Sequence, residues 1–225
     1  MVSLLLAAAF FVAIHLVVSG TPLRDRLIKQ LGPPRYRMQF SLASLAGIVW
    51  LCLAYDDAPR IALWGGFPGC RIVALIGMAP AFVLVVFGLT TPSPTAVGGE
   101  GTLERAPVGI QAITRHPFLW GVALWAALHV MANGDLASLV LFGALGALAL
   151  LGTASIDRKR RRAFGPAWDK FAAATSNLPF LALAQGRARF RLGEHKAWQW
   201  LAAGAAYGAL LVAHQALFGV SPLPG

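Results

Sequence analysis

Long apolar stretches alternate with short polar ones along the chain. Leu4–Val18 is apolar except for His15, and Phe40–Tyr55, Ile72–Leu89, Leu136–Ile156 and Ala197–Phe218 are stretches of similar length. At 1.5 Å rise per residue such runs predict helices that cross a hydrocarbon core of about 30 Å, not strands. Pro80 lies inside the third run and predicts a kink that neighbouring helices repair. A shorter apolar run begins after Pro117 and ends at Met131, and it is expected to recruit Val108–Thr114 as a lead-in. Asn133-Gly134-Asp135 then reads as a tight turn, with Asp135 as N-cap of the next helix. The first run reads as a retained span, because Met1-Val2-Ser3 lacks the basic side chains of a signal peptide and no A-x-A site follows. The tail Ser221–Gly225 is too proline-rich to continue a helix. The pattern predicts an all-α, polytopic membrane helix bundle of about six transmembrane helices, a single domain over residues 1–225.

Composition changes the solvent. The 225 residues are 57% hydrophobic and 12% charged, with a mean hydropathy of +0.66, whereas soluble domains run at about 45–50% apolar and about 25% charged. That excludes a soluble enzyme, a disordered chain and a secreted disulfide scaffold. The lipid bilayer is the first partner the sequence implies.

The net charge of +10 would suggest nucleic acid in a soluble protein, but its distribution says otherwise. Arg24, Arg26, Lys29, Arg35 and Arg37 follow the first span. Arg105 and Arg115 follow the third, and Arg158–Arg162, Lys170, Arg187, Arg189, Arg191 and Lys196 follow the fifth. Only Arg60 and Arg71 lie elsewhere, so seventeen of the nineteen basic residues fall on alternate loops. The positive-inside rule then predicts both termini non-cytoplasmic, a cytoplasmic basic segment at about 157–196, and no nucleic-acid partner. The run Arg158–Arg162 reads as an anchor for anionic headgroups, with a phosphate-binding patch as the alternative. Cys52 and Cys70 form no metal motif. No internal repeat points to a transporter, and the sequence leaves the oligomeric state open.

Chemistry concentrates on histidine. His15, His129 and His214 lie within spans, where an ionisable side chain is by default a functional hypothesis. Neutral imidazole is a common axial ligand of haem iron, and helix bundles hold such cofactors between facing helices. The plainer alternative is an interhelical hydrogen bond. His15 lies roughly 8 Å from the cytoplasmic end of its span, while His129 and His214 lie close to the opposite ends of theirs, so depth favours pairing His129 with His214. Trp64, Trp120, Trp125, Trp198 and Trp200 read as interfacial belt residues.

The run Arg115-His116-Pro117-Phe118-Leu119-Trp120-Gly121, then Leu124–His129 and Asn133-Gly134-Asp135-Leu136, resembles the NnrU family. So do His15 with Arg24-Asp25-Arg26 and Tyr36-Arg37 before Ser41-Leu42, and Phe218–Pro224 at the C-terminus. The resemblance implies a bacterial inner-membrane protein associated with denitrification and nitric oxide metabolism. It also implies kinship with the 15-cis-zeta-carotene isomerases, which use haem b with histidine ligands to isomerise a polyene under redox control. Carried over by motif position, the ligands are His15 and His129, and the resemblance thus ranks His15 ahead of His214 as the partner of His129. Ala126 stands where the isomerases have a cysteine, a departure that bears on isomerase activity more than on haem binding.

Arg115-His116-Pro117 followed by Gly121, together with Phe164-Gly165-Pro166-Ala167-Trp168, also resembles the isoprenylcysteine and phospholipid methyltransferases. That likeness makes Arg115 and His116 candidate cofactor-binding residues, for S-adenosylmethionine. Ile156 and Asp157 stand where those enzymes have a Glu-Glu pair. A non-catalytic assembly factor is the structural alternative, and in that reading Arg115-His116-Pro117 is a helix-start motif with Arg115 snorkelling to the headgroups.

Overall fold

The computed structural model describes residues 1–64, 68–96 and 98–223. Residues 65–67, 97 and 224–225 lie outside them, the last two in the tail Ser221–Gly225. Among the described residues nine α-helices follow one another: α1 (Val2–Ala13), α2 (Leu23–Leu31), α3 (Pro33–Asp56), α4 (Pro68–Thr90), α5 (Pro117–Asn133), α6 (Leu136–Phe164), α7 (Pro166–Ala174), α8 (Leu181–Ala184) and α9 (Ala197–Phe218). Among the described residues the only β contact is an isolated bridge from Ala62 to Asp135.

Four helices, α3, α4, α6 and α9, are long and apolar enough to cross a membrane. α1 continues through a π-helical segment, Ile14–Val18, and then meets α2 at an 80° bend; that pair raises the number of candidate spans to five. α5 is apolar but shorter. The bundle is inside-out relative to a soluble fold. Half of its buried apolar side chains are alanines, while Ile76, Leu201 and Val212 are 71%, 73% and 85% exposed. In lipid, tight van der Waals contact between small residues replaces hydrophobic collapse as the packing force. At Gly121 a Cβ would stand 2.8–2.9 Å from Val85 and the Ala81 carbonyl, and at Gly88 it would overlap the Phe118 backbone, so α4 and α5 approach backbone to backbone.

The helices pack as a chain of neighbours: α3 on α1, α1 on α6, α6 on α5, α5 on α4 and α4 on α9. α4 runs through Pro80 as one helix. The α5–α6 turn forms as the sequence predicts. Gly134 takes the left-handed conformation at φ +67, and Asp135 caps α6 by accepting from the Ser138 N–H at 2.9 Å.

Two expectations are corrected. Val108–Thr114 does not extend α5; it forms a buried 3₁₀ turn at Gly109–Ala112, separated from α5 by non-helical backbone at His116. The physical reason is Pro117, whose ring disfavours helical backbone at the residue before it. The helix of the fifth span does not stop at Ile156 either. α6 continues to Phe164, so Arg158–Arg162 lies on its last turns, where cations suit the negative end of the helix dipole.

Candidate functional site

Two sets of polar side chains interrupt the apolar bundle. The first is the three histidines within the membrane helices. His15 sits in the π-helical segment, a local widening often found at functional sites. Its Nδ1–H donates to the Phe11 carbonyl at 2.8 Å, and Nε2 faces Ser44 Oγ at 3.5 Å on α3. Phe11 and Phe40 flank the ring at 4.5 and 5.2 Å. His129 donates from Nδ1 to the Trp125 carbonyl at 2.9 Å and stacks on Phe142 of α6, centroids 4.5 Å apart and planes at 19°. His214 donates from Nδ1 to the Val220 carbonyl at 2.9 Å. A carbonyl only accepts, so all three imidazoles carry their proton on Nδ1; Nε2 of His129 and His214 has no partner among the described residues, while that of His15 accepts from Ser44 Oγ. That is the arrangement that orients a metal-ligating histidine.

The three do not converge. Tyr55 of α3 packs on the same Phe142 that His129 stacks on, at 6.0 Å, whereas Ser44 of α3 faces His15. Eleven residues separate Tyr55 from Ser44, so His15 lies about 16 Å from His129 along the bundle. His214 is nearer in depth. Leu128 abuts Gly77 and Tyr207 donates to the Leu75 carbonyl, which puts Leu128 and Tyr207 near one level of α4, immediately before His129 on α5 and well before His214 on α9. His214 follows Tyr207 by seven residues, about 10 Å. The donor chemistry fits haem, and the depth of the helices favours His214 over His15 beside His129. Ala126, three residues before His129, is buried in the α5–α6 contact, where the nearest approach is from Gly146.

The second set lies at the other end of α6 and gathers four segments around Asp157. Arg115 donates from Nε and Nη2 to the carboxylate at 3.0 and 2.5 Å. His116 donates from Nε2 at 2.7 Å. Asn177 donates to Asp157 at 3.3 Å and to Thr153 at 3.0 Å, and accepts from Trp120 Nε1 at 3.3 Å. Thr114 donates to the Asn177 carbonyl at 2.6 Å, and the Arg115 N–H to Ser176 O at 2.8 Å. The Arg115 guanidinium lies 5.9 Å from the ring of Trp168, which is 1% exposed. Thr114, His116 and Ser176 are themselves buried.

The charges follow from this geometry. Burial pushes the Asp157 carboxyl up, but hydrogen bonds from His116 and Arg115, and their charges, outweigh it and hold the group down at about 2. Burial pushes the His116 imidazole below its ordinary value, more than the carboxylate lifts it. At neutral pH His116 is therefore a neutral donor and the ionic hold on Asp157 is that of Arg115; the His116 charge adds to it only once acid protonates the ring. His116 is protonated on Nε2, the opposite tautomer to the three membrane histidines.

Arg115 and His116, singled out in the sequence, are thus brought together by a third residue whose weight the sequence understates. Asp157 reads there as a weakened copy of a motif, Trp168 as the end of that motif's second half, and Asn177 and Thr153 carry no signal at all. The clue available was a carboxylate immediately before five consecutive cations. The run Arg158–Arg162 is divided. Lys159 reaches the Ser19 carbonyl at 3.4 Å, Arg160 pairs with Glu100 at 2.7 Å, and Arg161 pairs with Asp169 at 2.8 Å.

The model of the NnrU protein family matches residues 3–222, and the chain belongs to that family. The chain is also similar to two curated proteins, each named "15-cis-zeta-carotene isomerase, chloroplastic". The Arabidopsis thaliana protein is 24% identical over 192 residues, covering 83% of this chain and 51% of that one. The Zea mays protein is 25% identical over 201 residues, covering 87% and 54%. The chain spans about half the length of these relatives. No solved structure matches it.

Proposed function

We propose that this member of the NnrU family is a haem b protein of the bacterial inner membrane that isomerises a double bond of a lipophilic polyene. The observation that carries the reading is the tautomer shared by His15, His129 and His214, each with Nδ1–H on a backbone carbonyl, which leaves Nε2 without a partner among the described residues on His129 and His214 and facing only Ser44 on His15. The relatives' name supplies the reaction class. In this reading His129 holds the haem, with His214 as its partner by depth and His15 as the alternative favoured by motif position. Bound haem b would supply an iron whose oxidation state gates the rearrangement of the double bond. Trp125 and Phe142 hold the His129 ring in place and keep water from it. A polyene would approach from the bilayer along the exposed apolar faces. Six spans with both termini outside the cytoplasm complete the proposal, on the strength of the basic loops.

The test is the absorption spectrum of protein purified in detergent after expression with ample haem. A Soret band is expected, abolished in His129→Ala, weakened in His214→Ala and unchanged in His15→Ala. Wild-type protein without a Soret band sinks the reading, and loss in His15→Ala with none in His214→Ala replaces the partner.

A second reading, an S-adenosylmethionine-dependent methyltransferase, gains one observation: Arg115, His116 and Asp157 do meet. It is the weaker, because the Asp157 carboxylate is fully engaged by protein donors and the adjoining cavity is lined by cations, an ill match for a sulfonium.

A further inference from the structure

Beside the Asp157 network lies an open cavity of about 480 Å³, lined by Arg115, Arg161, Arg187, Asp169, Ala172 and Ala173. Its three guanidiniums come from three separate segments: the residues before α5, the end of α6 and the stretch after α8. Each is oriented by the protein itself. Arg115 is fixed through Nε and Nη2 on Asp157, and its own carbonyl accepts from Thr95 Oγ1 at 2.7 Å. Arg161 is fixed through Nε on Asp169 at 2.8 Å. Arg187 donates from Nη1 to the carbonyls of Ala173 and Thr175 at 2.5 and 2.7 Å, and from Nε to Gln185 at 2.8 Å. These bonds leave at least two N–H donors on every guanidinium without an acceptor among the described residues. Three cations face one lining carboxylate, and Arg187 has no carboxylate partner among the described residues.

We infer that this cavity binds a phosphate group. A phosphate offers several oxygens to several rigid guanidinium forks at once, and preset forks lose little freedom on binding it. The cavity lies at the end of the bundle where α5 begins and α6 ends, the level of headgroups, and Ala172 and Ala173 give it a short apolar wall. The inference gives Arg161 a role apart from its neighbours in the basic run, since Lys159 and Arg160 are tied to Ser19 and Glu100. It is independent of haem.

The experiment uses the full chain at fixed ionic strength, because exposed charges are screened within about 8 Å at physiological salt. One arm measures binding to nanodiscs of phosphatidylcholine with and without phosphatidic acid. The other titrates inorganic phosphate into protein in neutral detergent. The Arg161→Gln/Arg187→Gln variant is compared with Arg189→Gln/Arg191→Gln, which removes the same charge from exposed positions outside the cavity. Arg161→Gln alone serves as a second variant, leaving the α7 carbonyls capped. At least tenfold weaker binding is expected in the cavity double variant, a smaller loss in the single one, and less than twofold change in the control. Loss confined to phosphatidic acid assigns a lipid headgroup. Loss seen also with inorganic phosphate assigns a soluble phosphate compound. Equal loss in both double variants, or no binding of either probe above phosphatidylcholine alone, overturns the inference.

Discussion

Two aspartates mark the two ends of α6, and they work in opposite ways. Asp135 precedes the first turn, and its carboxylate accepts from the N–H and hydroxyl of Ser138, three residues on. Tyr55 and Asn133 also meet Ser138, and Arg60 approaches Asp135 only to 4.0 Å. Its work is local: it closes a turn and starts a helix. Asp157 accepts from residues forty-one and forty-two positions upstream and twenty downstream. It joins the start of α5, the end of α6 and the segment after α7. The comparison teaches that the membrane-embedded body of this protein is held by small-residue contact and local caps, while the end carrying the basic segment is held by one long-range ionic centre.

Asp157→Asn tests that contrast most severely. It leaves Arg115, with 13% of its side chain exposed, without a charged partner. Removing one member of a buried pair costs about 3–5 kcal/mol, and partial exposure puts the expectation at about 3 kcal/mol. Equilibrium unfolding in mixed micelles should register that loss, and proteolysis should open the segment after Phe164 first. A change under about 1 kcal/mol would remove Asp157 from the centre of the account.

Acid titration is expected to be the next largest effect. The folded Asp157 carboxyl is depressed to about 2, so its contribution is fully present above the unfolded carboxylate value near 3.9 and disappears as pH falls toward 2. Its size is about 2 kcal/mol. His116 adds to it in the same direction. Its folded value is lowered, so below pH about 6.5 the unfolded chain takes up a proton that the folded chain refuses, and stability falls. Melting temperature followed from pH 7 to pH 3 should decline in wild type and decline less in Asp157→Asn. Parallel curves would refute the assignment.

The smallest expected effect is at the other end. Asp135→Ala removes an N-cap, worth about 1 kcal/mol, and should lower the melting point without exposing the basic segment to protease. If it opened that segment, the two ends of α6 would be coupled and the contrast lost.

Much was legible in the sequence because the causes are local. Hydrophobic run lengths predicted the helices. Asn133-Gly134-Asp135 predicted its own turn and cap, since the left-handed residue and the capping carboxylate act within a few positions. The lead-in before α5 was misread because apolar character suggested helix while Pro117 acted on the residue before it. Arg115 and His116 were legible as candidates from their place at a helix start. Asp157 was legible as a weakened motif position but not as their shared partner, because Arg115 and His116 lie more than forty residues upstream and only the packing of α5 on α6 brings them to it.

The sequence by itself determined the solvent and the helices, because apolar length and charge count are properties of the chain alone. The packing of the helices sets the relative depths of the three histidines, which cations of the basic run are tied down, and which three guanidiniums meet at one cavity. Those depend on the order in which the helices pack, and packing in lipid is set by contacts between small residues far apart in sequence.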